Sequence, residues 1–230
     1  FKKEVDALVD KKSLKKDEAV FNVLREYIKT SKRIRFDGDG YSEAWEKEAK
    51  KRKLSNNKTT PEALKVLTSP ESIELFRSMK VMSEIEVKAR QEVELEAYIL
   101  HLQIEGRILN ELVYSQIIPA AITYQNNLIK NVLGLKEIYG AAHKKLTEGQ
   151  SNIIEKIAEH IVSLKYKTDA MTAARKKANQ STDTYKKAYA YTENVKSYFD
   201  EIRKESDALE EMIDDQIWPL TKYRELLFIK

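Results

Sequence analysis

The sequence predicts an all-α fold, in which a long antiparallel helical bundle follows shorter helices and a loop with a glycine turn. The chain has 230 residues but only six Gly and four Pro, so few positions favour tight turns. Charged residues make up 34% of it, and Lys, Glu, Leu and Ala are abundant and favour helices. Apolar residues also recur in steps of three and four over long stretches. Together these observations indicate long helices rather than strands.

Short helices are predicted within the first 80 residues, at about 2–12, 16–32, 43–53, from 60 onward and at 71–79. Asp37-Gly38-Asp39-Gly40 interrupts the series, because two glycines this close break a helix. Ser42 is placed to cap the helix that follows this turn. Pro61 and Pro70 each stand in a first helical turn, where a missing N–H costs little.

From residue 81 onward the pattern predicts three long amphipathic elements. The first covers about 83–118, starts at a capping box of Ser83 and Glu86, and resumes to about Tyr139 after Pro119, which should kink or interrupt it. Its inner stripe, with steps of three and four, consists of Leu95, Ile99, Leu102, Gly106, Leu109, Val113 and Ile117. Gly106 costs helix stability unless it packs closely on a neighbouring helix, so we expect it to be buried there.

The other two long elements carry similar stripes on either side of a turn at 179–183. Three such elements joined by short turns are typical of an up-down antiparallel bundle. The tail from Trp218-Pro219-Leu220 to Phe228-Ile229 is aromatic and apolar, so we expect it to be docked rather than loose.

One segment has the partial pattern of a calcium-binding loop. When Gly40 is aligned with the sixth position of an EF-hand, Asp37, Asp39 and Glu46 fall on ligand positions. Arg35 then occupies the first position, where Ca²⁺ needs a carboxylate oxygen. The sequence therefore favours a glycine turn over a calcium site.

No other pattern points to a complete active site. The three histidines, His101, His143 and His160, are far apart and have no ligand spacing, and the sequence has no phosphate-binding glycine loop or nucleophile elbow. Basic residues alternate with acidic ones, as expected for a solvated helix face and not for a nucleic-acid module. The longest apolar run is too short to span a membrane. Absence of cysteine fits the cytoplasm, and a start at Phe1 suggests a piece of a longer protein.

Several stretches, in order along nearly the whole chain, resemble type III glutamine synthetases. The matching segments are 33–52, 58–64, 82–84 with Arg90, 94–98, 118–121 with Tyr124 and Gln125, and 218–220 with 223–227. One departure is Asp37, where the family usually has Asn. The resemblance implies that the chain is the C-terminal helical region of a much longer enzyme.

Members of this family make glutamine from glutamate, ammonia and ATP with a divalent metal, Mg²⁺ or Mn²⁺, and assemble as rings. Their catalytic, nucleotide and metal residues lie upstream of the matched region, so the resemblance places no catalytic, cofactor or metal residue in this chain. We expect residues 1–80 to link to an upstream catalytic domain and residues 81–230 to form the bundle. The candidate packing or interface residues are Gly106, Tyr41, Trp45, Trp218, Pro219 and Tyr223.

The resemblance therefore implies a structural and assembly role within a cytoplasmic homo-oligomer, with no nucleic-acid or membrane partner. The alternative is a free-standing helical scaffold or adaptor that binds a partner helix along an exposed seam. A basic nucleic-acid module is the third possibility.

Overall fold

The computed structural model describes residues 1–227, except for the side chains of Lys11, Lys12, Tyr223 and Arg224. All regular structure in this part is helical, which confirms the predicted all-α class. The α-helices are α1 (Lys2–Lys12), α2 (Lys16–Thr30), α3 (Glu43–Lys51), α4 (Thr60–Lys65), α5 (Pro70–Ser78), α6 (Glu84–Leu112), α7 (Ile118–Tyr139), α8 (His143–Ala178), α9 (Thr184–Tyr191), α10 (Ser197–Met212) and α11 (Tyr223–Leu226). Within the described residues, no helix is long and apolar enough to cross a membrane.

The chain folds as two compact units, one from Phe1 to Asn56 and the other from Asn57 onward. The helices α4 and α5 fall in the second unit, because they pack on α6. Gln91 of α6 fixes this contact, since its side-chain amide donates to the Leu64 carbonyl at 2.8 Å and to the Thr68 hydroxyl at 2.9 Å. The linking role expected for residues 1–80 stays a prediction.

The first unit has a small core between α1 and α2. Val5, Ala19 and Val23 are buried in it, and Leu8, Val9, Leu14 and Val20 pack around them. Ser42 caps the start of α3, since its hydroxyl accepts the Trp45 backbone N–H at 3.3 Å, as predicted.

The second unit is built around α8. The helices α7 and α10 pack along α8, and α9 packs on α6. Six of the seven residues in the inner stripe of α6 and the turn after it are buried, and Leu109 is half-buried. The stripes on α8 and on the α9–α10 stretch supply most of the remaining core, including Ile157, Leu164, Met171, Val195, Ile202 and Leu209.

Pro119 was expected to kink or interrupt the long helix, and the structure shows that it does not interrupt it. Proline cannot donate to the carbonyl four residues earlier and clashes with it. The chain accommodates this in a wider π-helical turn at Val113–Ile117, after which α7 starts at once. The long element therefore stays continuous from Glu84 to Tyr139.

A second π-helical turn at Thr192–Lys196 joins α9 to α10, and the sequence analysis missed it. Thr192 donates its hydroxyl to the Ala188 carbonyl at 3.0 Å, and the same oxygen lies 2.9 Å from the hydroxyl of Tyr98 on α6. The widened turn is thus joined to α6 by a hydrogen bond between two side chains.

Candidate functional site

The most highly connected polar cluster lies between α8 and α10. The Glu205 carboxylate on α10 contacts three side chains of α8: His160 Nδ1 at 2.6 Å, Lys167 Nζ at 2.7 Å and Ser163 Oγ at 3.1 Å. The side chains of Glu205 and Lys167 are only 14% and 21% exposed. These contacts tie α10 to α8 near the middle of the bundle.

The electrostatics of this cluster suit a structural role. Burial alone would raise the pKa of Glu205, but hydrogen bonds from Lys167, His160 and Ser163, together with the charge of Lys167, lower that pKa to about 2. A carboxylate with so low a pKa is ionised at neutral pH and is a weak base. The cluster can hold helices together but is poorly suited to abstract a proton.

A second polar connection closes one end of the bundle. The Asn179 side-chain oxygen accepts from the buried Tyr191 hydroxyl at 2.8 Å and from the Gln103 amide at 2.7 Å. Because Gln103 lies on α6, the turn after α8 is joined to two other helices. This network orders the turn and presents no reactive group.

The glycine turn in the first unit is a packed loop. The Phe36 ring lies 4.9 Å from the Trp45 ring, and a Cβ built on Gly38 would come within 2.6 Å of Phe36 Cζ. Glycine at position 38 therefore leaves room for the ring. Arg52 donates to the carbonyls of Arg33 and Arg35, at 3.2 and 3.1 Å, and fixes the segment that leads into the loop.

The oxygens of Asp39 are used inside the same turn. Its carboxylate accepts the Tyr41 backbone N–H at 2.9 Å, and its carbonyl accepts the Ser42 hydroxyl at 2.7 Å. Across the described residues there is no group of three or more His, Cys, Asp or Glu side chains arranged to hold a metal ion. A calcium site here would have to break the contacts that shape the turn.

We therefore expect the chain to bind no Ca²⁺ at this loop, because Arg35 occupies the position of the first carboxylate and Asp39 already accepts hydrogen bonds. Isothermal titration with Ca²⁺ should give only the heat of dilution at micromolar concentrations, for the natural chain and for Asp39→Ala alike. Stoichiometric binding that Asp39→Ala abolishes would contradict this expectation.

The candidate packing residues fall into both units. In the first unit, Tyr41 is fully exposed and Trp45 is half-buried against Phe36. In the second unit, Gly106 is buried against Phe199 and Arg175.

The remaining candidates belong to the tail. Trp218 is 7% exposed and packs in the core of the bundle, whereas Pro219 is exposed. The Tyr223 side chain and the Phe228-Ile229 end of the tail lie outside the described residues. Within the described part of the tail, Leu220 packs against the core and Lys222 Nζ donates to the Glu210 carbonyl at 3.1 Å. The docking expected for the whole tail stays a prediction.

The structure adds an exposed apolar stripe on α6 that the sequence analysis missed. Val93, Leu100, Ile104 and Ile108 are each between 48% and 58% exposed, on the side opposite the buried stripe. The signal was present in the sequence, because these residues follow one another in steps of seven, four and four. The helix α6 is therefore apolar on two opposite sides, and its own bundle buries only one of them.

Comparison with known proteins places this chain in a family. Residues 19–136 match the family described as glutamine synthetase C-terminal domain. The whole chain is 42% identical to a glutamine synthetase of Bacteroides fragilis and covers 32% of that protein. It is 30% identical to the type-3 glutamine synthetase of Dictyostelium discoideum, over 93% of this chain and 29% of that protein.

A glutamine synthetase of Butyrivibrio fibrisolvens is 29% identical over 92% of this chain and 30% of its own length. The chain thus spans about a third of the length of the curated relatives it matches. By the match of residues 19–136, which is half of the sequence, the chain belongs to the glutamine synthetase C-terminal domain family.

Proposed function

We propose that this chain is the C-terminal structural and assembly region of a type III glutamine synthetase, whose full chain ligates ammonia to glutamate with ATP. The observation that carries this proposal is the extent of the similarity. The chain aligns from end to end with a glutamine synthetase yet accounts for only 32% of that protein's length. Most of such an enzyme would therefore lie outside this segment.

The chemistry of the described residues supports a non-catalytic role for the segment. Its best-connected carboxylate, Glu205, is already bonded to three side chains, and the described part offers no cluster of metal ligands. ATP and Mg²⁺ or Mn²⁺ are accordingly assigned to residues of the parent chain outside this segment. In the proposal, residues 1–80 link to the upstream catalytic domain, and the parent is a cytoplasmic homo-oligomeric ring.

The test compares three proteins: the full-length parent, the parent shortened to end before Phe1, and the 230-residue chain alone. We expect ATP-dependent formation of γ-glutamyl hydroxamate from the full-length protein and none above buffer from the chain alone. We expect the shortened parent to elute from a sizing column as smaller assemblies than the full-length protein. Metal-dependent activity of the chain alone, or unchanged assembly of the shortened parent, would refute the proposal.

The scaffold alternative is favoured by one observation, the exposed apolar stripe on α6. The scaffold alternative predicts a different reading frame, because a free-standing adaptor has its own start codon and no catalytic sequence upstream. Sequencing the reading frame that precedes Phe1 separates the two functions directly.

A further inference from the structure

The inference concerns the exposed side of α6 and rests on the proposed assembly role. Leu95, Ile99 and Leu102 of this helix are buried in the bundle. At about 100° of rotation per residue, the stripe of Val93, Leu100, Ile104 and Ile108 lies roughly half a turn away from them. We call these four residues the outer stripe. A soluble helix surface with a second continuous apolar stripe indicates a contact with another protein surface.

We infer that the outer stripe pairs with the same stripe of a second copy of this chain, the two α6 helices running antiparallel about a twofold axis near residues 101 and 102. In such a pair each residue faces the one equally far beyond the axis. Ile104 and Ile108 of one copy then both lie along the seam between Leu100 and Val93 of the other. The result is a continuous apolar contact between the helices.

The charges beside the outer stripe indicate that a second copy of this chain covers it. In the antiparallel arrangement, Glu96 of one copy faces Arg107 of the other, and both flank the stripe on the same side. Both side chains are exposed, and within the described residues neither has an ion-pair partner. The twofold axis repeats this contact, so the helix complements itself.

A second charge pair follows from the same axis. Arg90 comes within about one helical turn of Glu111 of the other copy, beside the ends of the outer stripe. In its own chain Arg90 makes only a loose contact, 3.8 Å from Glu94, and both side chains are about half exposed. In a parallel pair, Glu96 of one copy and Arg107 of the other would lie eleven residues apart along the seam and would not meet. Only the antiparallel direction therefore joins these opposite charges.

The size of the stripe sets the strength of the contact. Four half-exposed side chains bury roughly 300–400 Å² per copy, about half of the roughly 800 Å² per partner found in stable complexes. The 230-residue chain should therefore form a weak, concentration-dependent dimer. In the parent assembly, contacts made by the remaining two-thirds of the protein would add to it.

The first test is charge reversal measured by sedimentation equilibrium. Glu96→Arg and Arg107→Glu should each raise the dimer dissociation constant at least about tenfold, because two attractive contacts per dimer become repulsive. The double variant Glu96→Arg/Arg107→Glu should restore the natural value. Arg203→Glu is the control for Arg107→Glu, since it makes the same charge change on the exposed face of α10 and should leave the dissociation constant unchanged.

The second test uses the absence of cysteine from the chain. His101→Cys lies next to the proposed axis, so two copies of this variant should form a disulfide under mild oxidation. Ile108→Cys should not link to itself, because its equivalent in the other copy lies far along the seam. A mixture of Glu96→Cys and Arg107→Cys chains should give the mixed disulfide in preference to either self-linked dimer.

A chain that stays monomeric in sedimentation and does not form the His101→Cys disulfide would overturn the inference. So would a dimer that ignores the charge reversals or links through Ile108→Cys to itself. Either result would leave the proposed assembly role standing, because that role is tested separately by removing the whole segment from the parent.

Discussion

Glu205→Gln should lower the free energy of unfolding at neutral pH by about 2–3 kcal/mol, one of the two largest effects that we expect of a single substitution. Glutamine keeps the size of the side chain but removes its charge. Lys167, only 21% exposed, is then left without the carboxylate that lies 2.7 Å from it. Only the Glu201 carboxylate, 3.9 Å away and mostly exposed, then remains near this lysine. Losing the close counter-charge of a partly buried cation costs more stability than losing an exposed ion pair.

The same contact makes stability depend on acid. The pKa of Glu205 is about 2 in the folded chain, below the usual value of 4.5. A group whose pKa is lower in the folded state stabilises the fold above its unfolded pKa, and the contribution is lost as pH falls through the folded pKa. The natural chain should therefore lose this contribution between about pH 5 and pH 2, and Glu205→Gln should not.

Urea denaturation from pH 7 down to pH 3 measures both effects. The difference in unfolding free energy between the natural chain and Glu205→Gln should be largest at pH 7 and should shrink with acid. Glu201→Gln is the matched control, because Glu201 lies one turn earlier on α10, is 56% exposed and is 3.9 Å from the same lysine. Its effect should stay below about 0.5 kcal/mol. A pH-independent difference for Glu205→Gln would contradict the assigned pKa.

Periodicity predicted the bundle because the stripes are long and regular. The stripe of α6 and the turn after it has seven residues in steps of three and four, and six of them are buried. The predicted capping residues Ser42 and Ser83 also stand at the starts of their helices. Local chemistry determines both features, so no knowledge of distant contacts was needed.

Features that depend on which helices meet were not predictable in this way. The spacing of His160, Ser163 and Lys167 places them on one side of α8, but only the register of α10 brings Glu205 to them. Similarly, Thr192 reaches Tyr98 only because α9 packs on α6. The consequence of Pro119 was uncertain for another reason, since a kink, a break and a π-helical turn all relieve the same clash.

The candidate interface residues illustrate the same limit. Trp218 and Tyr41 look alike in sequence as large aromatic residues beside turns, yet one is 7% exposed and the other is fully exposed. The outer stripe of α6 was not predictable residue by residue, because a single exposed apolar side chain on a helix is ordinary and only the set on one side indicates a contact surface.

Gly106→Leu should destabilise the bundle by about 1–3 kcal/mol, although leucine favours helix more than glycine does. The sequence suggested that a missing side chain lets two helix backbones approach. The structure instead surrounds Gly106 with side chains: a Cβ built there would lie 3.7 Å from the Phe199 ring and 3.8 Å from Arg175 Cδ. These are ordinary contact distances, so one carbon fits and three more would displace the ring or the arginine.

Gly106→Ala should therefore have the opposite sign and raise the free energy of unfolding by about 0.5–1 kcal/mol, through helix propensity alone. Comparing the alanine and leucine substitutions shows whether position 106 has room for one carbon only or is loosely packed. Gly134 on α7 is the matched control, because a Cβ there would meet nothing within 4 Å. Both alanine and leucine at position 134 should stabilise the chain slightly.

Urea midpoints of the five proteins decide between the two descriptions of the seam. Overpacking at Gly106 predicts a midpoint above that of the natural chain for Gly106→Ala and below it for Gly106→Leu, with both Gly134 variants at or above it. A raised or unchanged midpoint for Gly106→Leu would mean that Phe199 and Arg175 yield to a larger side chain without cost. The α6 seam would then be loosely packed at this point, and glycine at position 106 would have no packing role.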